Sequence, residues 1–120
     1  MNLDEFRREM DEYWSRIDRE FMEKKESHGA VMELMKLYRR LDPGEQSMAK
    51  QVIIEWLRST ESRKQFDALA LVDEFRIVDA LPTLRELETE AEARTDHEAA
   101  YDWARINRII GRLTEPSESR

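Results

Sequence analysis

Cysteine is missing from the sequence, and glycine and proline occur only three times each. The lack of cysteine excludes disulfide bonds and thiolate metal sites. With so few glycines and prolines the chain has few turns, and β-branched residues are too sparse for the alternation of a strand. The sequence therefore predicts an all-α fold.

Long apolar runs are missing as well. The longest, at residues 68–72, has five residues, whereas a membrane-spanning helix needs about 20. At the N-terminus, Asp4, Glu5 and Arg7 stand where a signal peptide would have its apolar stretch. We therefore expect a cytoplasmic protein with no membrane partner.

Charge of both signs is abundant. Charged residues make up 39% of the 120 residues and hydrophobic residues 40%, and the net charge is −7. This composition is too hydrophobic for a disordered chain and fits a single helical domain, which we place at residues 1–113, with a disordered tail at 114–120. The negative charge argues against a general nucleic-acid binder and favours a basic protein partner.

Apolar residues recur at three- and four-residue steps and predict about six helices. The stripe is clearest in the first helix, where it consists of Leu3, Phe6, Met10, Tyr13, Ile17 and Phe21. The predicted helices span residues 3–26, 30–41, 43–58, 63–75, 79–93 and 96–113.

Three sites have the pattern of a capping box, in which the N-cap residue and the residue three positions later each bond the other's backbone. They are Asp42 with Glu45, Ser62 with Gln65, and Thr95 with Glu98. The first pattern is the strongest because Pro43 follows at the first helical position. Gly29 is expected to take the left-handed conformation that ends the first helix.

Three segments in the second half of the chain share the spacing of paired helices. They are the apolar set Ala68, Val72 and Phe75, the helix start Ala80-Leu81-Pro82-Thr83-Leu84, and the helix end Ile110-Gly111-Arg112-Leu113. Together they resemble HEAT-like repeats of the short bacterial type, and the interval of 38 residues from Val72 to Ile110 is close to the HEAT period.

The resemblance covers residues 62–113 best. It implies a short α-solenoid of stacked antiparallel helix pairs, with the long first helix as a cap on the open end of the stack. A generic helical bundle has much of the same spacing, so that architecture remains the alternative.

No arrangement of residues predicts catalysis, a cofactor or a metal site. The sequence has no glycine-rich phosphate loop, and its two histidines are not paired. Asp96, His97 and Glu98 are consecutive, so on a helix they would point in different directions. Glu20 and Glu23 match the first half of the Glu-x-x-Glu and Glu-x-x-Asp set that holds Mg²⁺ in all-α nucleotide pyrophosphatases, but no second half follows. We therefore expect a binding protein and not an enzyme.

Aromatic residues lie at the spacing of a helical core. Trp56, Phe66, Phe75 and Trp103 are expected to be buried by packing. Trp14 lies beside the apolar stripe of the first helix and widens it. Trp14 either packs deeply against the other helices, which we favour, or meets a second copy of the chain in a homodimer formed through the first helix.

One stripe of the fifth helix is polar. It consists of Asp79, Thr83, Glu86 and Glu90, at steps of four, three and four, and we call it the acidic ridge. In HEAT-like stacks the second helices line the concave binding face. The resemblance therefore implies that the acidic ridge faces a partner, together with Gln51, Glu55 and Arg58 of the third helix. A solvated helix face explains the same pattern.

A basic stripe on the sixth helix offers an alternative. Arg105, Arg108 and Arg112 lie three and four residues apart and would allow weak contacts with nucleic-acid phosphates, although Glu98 and Asp102 are close by in the sequence. The function that we favour is a non-catalytic protein-interaction module. One form of it is an immunity-type protein that occludes a basic toxin or nuclease.

Overall fold

The computed structural model of the chain describes residues 2–26 and 28–115. Within these residues it contains helices and no strand, which confirms the all-α prediction. The helices are α1 (Leu3–Glu23), α2 (Gly29–Arg40), α3 (Pro43–Trp56), α4 (Ser62–Phe75), α5 (Leu81–Ala93) and α6 (Ala99–Thr114), with a 3₁₀ turn at Val78–Ala80 before α5. None of the helices in this part of the chain has the length and apolar character that crossing a membrane requires.

Some of the helix caps predicted from the sequence form in the structure, and others do not. The capping box of Asp42 and Glu45 forms as predicted, and Asn2 and Glu5 form a second one that we did not predict. Ser62 and Gln65 do not form theirs, because the side chain of Gln65 instead donates to the carbonyl of Leu57 at 2.7 Å. A nearby carbonyl left by the end of α3 therefore competes successfully with the local cap.

The end of the chain also differs from the prediction. Thr95 and Glu98 form no capping box, and α6 begins at Ala99 instead of at Asp96. Arg94 holds Asp96 through two hydrogen bonds of 2.9 and 2.7 Å, which fixes this segment as a turn. Helix α6 extends to Thr114, one residue into the tail that we expected to be disordered; residues 116–120 of that tail lie outside the described residues.

Gly29 does not end the first helix, so that prediction was wrong. The left-handed residue is Lys25, with φ of 59°, and Gly29 is the first residue of α2. A Cβ atom at Gly29 would collide with the ring of Phe21 from α1. Glycine is needed here because an aromatic ring lies directly against the backbone.

The helices associate mainly as neighbours in sequence, α1 with α2, α3 with α4, and α5 with α6. Helix α1 also packs on α3, α2 on α4, and α4 on α6, so one core runs through the molecule. The largest fully buried side chains come from α2, α3, α4, α5 and the residues that follow α3 and α4: Leu34, Val52, Ile53, Leu57, Leu71, Val72, Ile77 and Leu84. The HEAT-like identity of this arrangement stays a prediction.

Trp14 lies inside the molecule, as we favoured, with 2% of its surface exposed. Its Nε1 donates to Asp67 Oδ2 at 2.9 Å, and its ring meets that of Trp56 edge-on with the centroids 6.4 Å apart. Trp56 Nε1 donates to Asp11 Oδ1 at 2.7 Å. The ammonium of Lys64 lies 5.0 Å from the Trp14 ring centroid and 5.4 Å from that of Trp56. This cluster joins α1, α3 and α4.

Of the four other aromatic residues that we predicted to pack in the core, two do so and two do not. Trp56 is buried, and Phe75 is half-buried against Tyr38, with ring centroids 4.2 Å apart. Phe66 and Trp103 are 39% and 36% exposed, so the prediction that they belong to the core was wrong. The inward face of α4 is formed by Ala68, Leu69, Leu71 and Val72, which leaves Phe66 at its edge.

Two carboxylates are buried between α1 and α4. Asp18 of α1 accepts hydrogen bonds from the guanidinium of Arg63, and Asp67 of α4 accepts one from Trp14. Burial disfavours the charged form of Asp67 and raises its pKa from 3.8 to about 6, and the hydrogen bond from Trp14 opposes only part of this effect. The folded chain therefore favours the protonated form of Asp67 more than the unfolded chain does.

A Gly29→Ala variant tests the contact between α1 and α2. The added methyl group must displace Phe21, so we expect the free energy of unfolding to fall by about 1–3 kcal/mol. Gly111→Ala is the matched control, because nothing lies within 4 Å of a Cβ at that position in α6. That change should raise stability by about 0.5–1 kcal/mol through helix propensity. Urea unfolding measures both, and equal stability of the two variants would contradict the packing described.

An Asp67→Asn variant tests the buried carboxylate. The pKa of Asp67 is higher in the folded chain than its ordinary value, so the folded chain binds the proton more tightly than the unfolded chain does. The resulting stabilisation is complete below pH 4 and is lost as the pH rises through about 6. Asparagine keeps an acceptor for Trp14 and carries no charge. The stability of the variant relative to the wild type should therefore rise by about 1–3 kcal/mol between pH 4 and pH 7 in urea unfolding. A difference that does not change with pH would refute this account.

Candidate functional site

The acidic ridge lies on the outer face of α5 and the turn before it. Glu86, Glu90 and Asp79 are exposed, and Thr83 is half-buried. The inward face of α5 carries Leu84, Leu87 and Ala91, so the helix separates its apolar and acidic faces as the spacing predicted.

The third helix adds the second part of this surface. Gln51 and Glu55 of α3 and Arg58, which follows α3, are all exposed. The 3₁₀ turn that contains Asp79 packs on α3, which brings this end of the acidic ridge beside α3. We call the acidic ridge together with Gln51, Glu55 and Arg58 the acidic surface.

Arg58 connects the two parts. Its Nη2 donates to Glu86 Oε1 at 2.5 Å and its Nη1 to Glu90 Oε2 at 2.9 Å. The two carboxylates are one helical turn apart, so they converge on a single guanidinium. The hydrogen bonds that Arg58 donates to Glu86 and Glu90 stabilise its charged form and raise its pKa. The sequence predicted these three residues as one surface, and the structure brings them into direct contact.

Glu55 has a different partner. Both of its carboxylate oxygens accept from Arg7 of α1, at 2.7 and 2.8 Å. Arg7 also donates to Asp4 at 2.6 Å. Asp4 and Arg7 were not predicted from the sequence, because a contact between residues 7 and 55 depends on how α1 packs on α3 and leaves no local pattern.

The acidic surface keeps an excess of negative charge after its internal pairing. Its four carboxylates, at Glu55, Asp79, Glu86 and Glu90, face one guanidinium of its own, at Arg58, and one from Arg7. The ion pairs on it are exposed to water: the side chains of Arg58, Glu86 and Glu90 are 42%, 63% and 57% exposed. Such pairs contribute about 0–1 kcal/mol each, so another cation can replace the internal one at low cost.

The basic stripe of α6 is divided among different environments. The guanidinium of Arg105 lies 4.6 Å from the ring centroid of Phe66 and 5.5 Å from that of Tyr101. Arg112 Nε lies 3.1 Å from Asp73 Oδ1 of α4. Arg108 is exposed. Two of the three arginines therefore have intramolecular partners on α4, which the helical spacing alone did not indicate.

The segment around His97 shows ion pairing. Asp96 lies against Arg94, which lowers the pKa of that carboxyl to about 2. Arg94 also donates to Asp102 at 2.9 Å. In the described part of the chain, no group of three or more His, Asp or Glu side chains is arranged to hold a metal ion.

No protein-family model, curated protein or solved structure matches the chain. The resemblance to HEAT-like repeats therefore rests on the segments at residues 68–75, 80–84 and 110–113.

Proposed function

We propose that the chain is a non-catalytic protein-interaction module that binds a basic protein through the acidic surface. The observation that carries this proposal is the position of Arg58 between Glu86 and Glu90. Two carboxylates on one helix already hold a guanidinium at hydrogen-bond distance. An arginine or lysine of a partner needs the same geometry to pair with them.

Replacing Arg58 with a cation of the partner costs little free energy. The side chains of the internal pair are largely in water, so the pair gains little from its Coulomb attraction. At an interface the carboxylates of Glu86 and Glu90 would lose their contact with water. They would then interact more strongly with a cation of the partner that takes the place of Arg58. Arg58, once released, remains able to bond one of the two glutamates or an acceptor on the partner.

The charge of the whole chain adds a long-range effect. A net charge of −7 attracts a basic partner before contact, and the excess carboxylates of the acidic surface direct that attraction to one face. Electrostatic steering of this kind raises the association rate more than it slows dissociation. An immunity-type protein that covers the basic active site of a toxin or nuclease is one function that needs fast association.

A double variant, Glu86→Gln with Glu90→Gln, tests the proposal. Removal of both charges should slow association with the partner about tenfold at low salt and flatten the dependence of the rate on salt concentration. The partner is isolated by affinity capture on the wild-type chain, and its association kinetics are then measured at two salt concentrations.

The matched control is Glu88→Gln with Glu92→Gln. These residues have the same spacing on the same helix and the same loss of charge, but they lie outside the acidic surface. We expect this control to associate at nearly the wild-type rate. Equal slowing by the two double variants would show that only net charge matters, and an unchanged rate for Glu86→Gln with Glu90→Gln would exclude the acidic surface.

A further inference from the structure

A cavity of about 310 Å³ lies between the end of α1 and the start of α4. It is lined by Asp18, His28, Ser62, Arg63, Phe66 and Asp67. The volume is at the lower end of the range of about 300–1,000 Å³ that small-molecule sites occupy. The lining combines an aromatic ring with two carboxylates, so it has the mixed character of a ligand site.

Asp67 is the more deeply buried of the two carboxylates at this cavity, with 5% of its surface exposed against 9% for Asp18. Its Oδ2 accepts the hydrogen bond of Trp14 Nε1 at 2.9 Å. Among the described residues, no side chain donates a hydrogen bond to its second oxygen, Oδ1. That oxygen is not fully enclosed by protein, so a ligand in the cavity can reach it and donate a hydrogen bond to it.

The basic residue at the cavity is already engaged elsewhere. Arg63 Nε and Nη2 donate to Asp18 Oδ1 and Oδ2 at 3.0 and 2.9 Å. Asp18 thereby has an ion-pair partner in Arg63, while Asp67 carries its charge above its own pKa. The other charged and titratable groups that act on Asp67 are Asp18, which raises its pKa, and Arg63 and His28, which lower it. The cavity therefore holds two carboxylates and one guanidinium.

Phe66 supplies an aromatic wall. Its ring is 39% exposed, and the guanidinium of Arg105 already lies 4.6 Å from its centroid. The ring of Phe66 therefore already has one planar cation, the guanidinium of Arg105, against it on the side of α6. Aromatic faces attract cations because of their quadrupole, and a guanidinium or amidinium group can also stack on the ring.

We propose that this cavity binds a planar organic monocation, a guanidinium or amidinium group, which donates to Asp67 Oδ1 and stacks on Phe66. Such a group occurs in free small molecules and in arginine side chains of peptides. The site uses none of the residues of the acidic surface, so it stands or falls independently of the proposed protein-binding function.

Benzamidinium is the probe for a free aromatic cation, and N-acetylarginine methylamide is the probe for an arginine side chain. Binding of each to the full chain at pH 7.5 is followed by NMR chemical-shift titration, with the neutral molecule benzamide as the control ligand. We expect at least one cation to bind at least about tenfold more tightly than benzamide, since a charge-assisted hydrogen bond is worth that much. The tighter of the two probes identifies the source of the cation.

Asp67→Asn should weaken binding of that probe at least about tenfold. Asp73→Asn is the matched control, because it is the same change on the same helix at a residue that pairs with Arg112 and does not line the cavity. It should bind the probe as the wild type does. Equal binding of benzamide and both cations, or wild-type affinity in the Asp67→Asn variant, would overturn the proposal.

The wild-type chain gives a readout that does not depend on the folding of a variant. The ¹³C shift of the Asp67 carboxyl is titrated with acid in the presence and absence of the bound probe. A cation that pairs with Asp67 favours its ionised form, so the midpoint should fall by about one pH unit or more for a tenfold preference. A midpoint that the probe leaves unchanged would refute contact with Asp67.

Discussion

Trp14 Nε1 donates a hydrogen bond to Asp67 inside the core, and the register of α1 against α4 depends on this bond. The indole and the carboxylate are both almost fully buried, so either one alone would be an unsatisfied polar group in an apolar interior. A second indole, that of Trp56, bonds Asp11 beside it, and the ammonium of Lys64 lies near both rings. These pairs fix α1 against α3 and α4 in one register, because a shift along the helix would break them together.

The two candidate binding regions both follow from that register. Helix α3 ends at Trp56, so the indole that bonds Asp11 also fixes the position of Arg58, just beyond the helix, where it meets Glu86 and Glu90. On the other side, Asp67 is held by Trp14 and borders the cavity next to Phe66. A polar core contact thus positions one exposed acidic surface and one small open cavity.

Much of the architecture could be predicted because it depends on local chemistry. The apolar steps gave six helices, and the capping box at Asp42 and Glu45 formed where its pattern lies. Predictions failed where a distant group competed with a local one. Gln65 bonds the carbonyl of Leu57 instead of capping α4, and Phe66 is exposed although its spacing resembles that of a core residue. The residues of the acidic surface were named from the sequence, but Arg7 was not, since its partner Glu55 is 48 residues away.

The sequence alone determined the helices, the separation of apolar and acidic faces on α5 and the negative net charge, because each depends on residue type and on spacing within one segment. Only the tertiary structure decided which charges meet and which residues surround a cavity. Arg58 reaches Glu86 of α5, and Asp67 bonds Trp14 of α1, through contacts between residues 28 and 53 positions apart in the sequence. Contacts of this kind depend on the crossing of packed helices, which the pattern of any single helix does not contain.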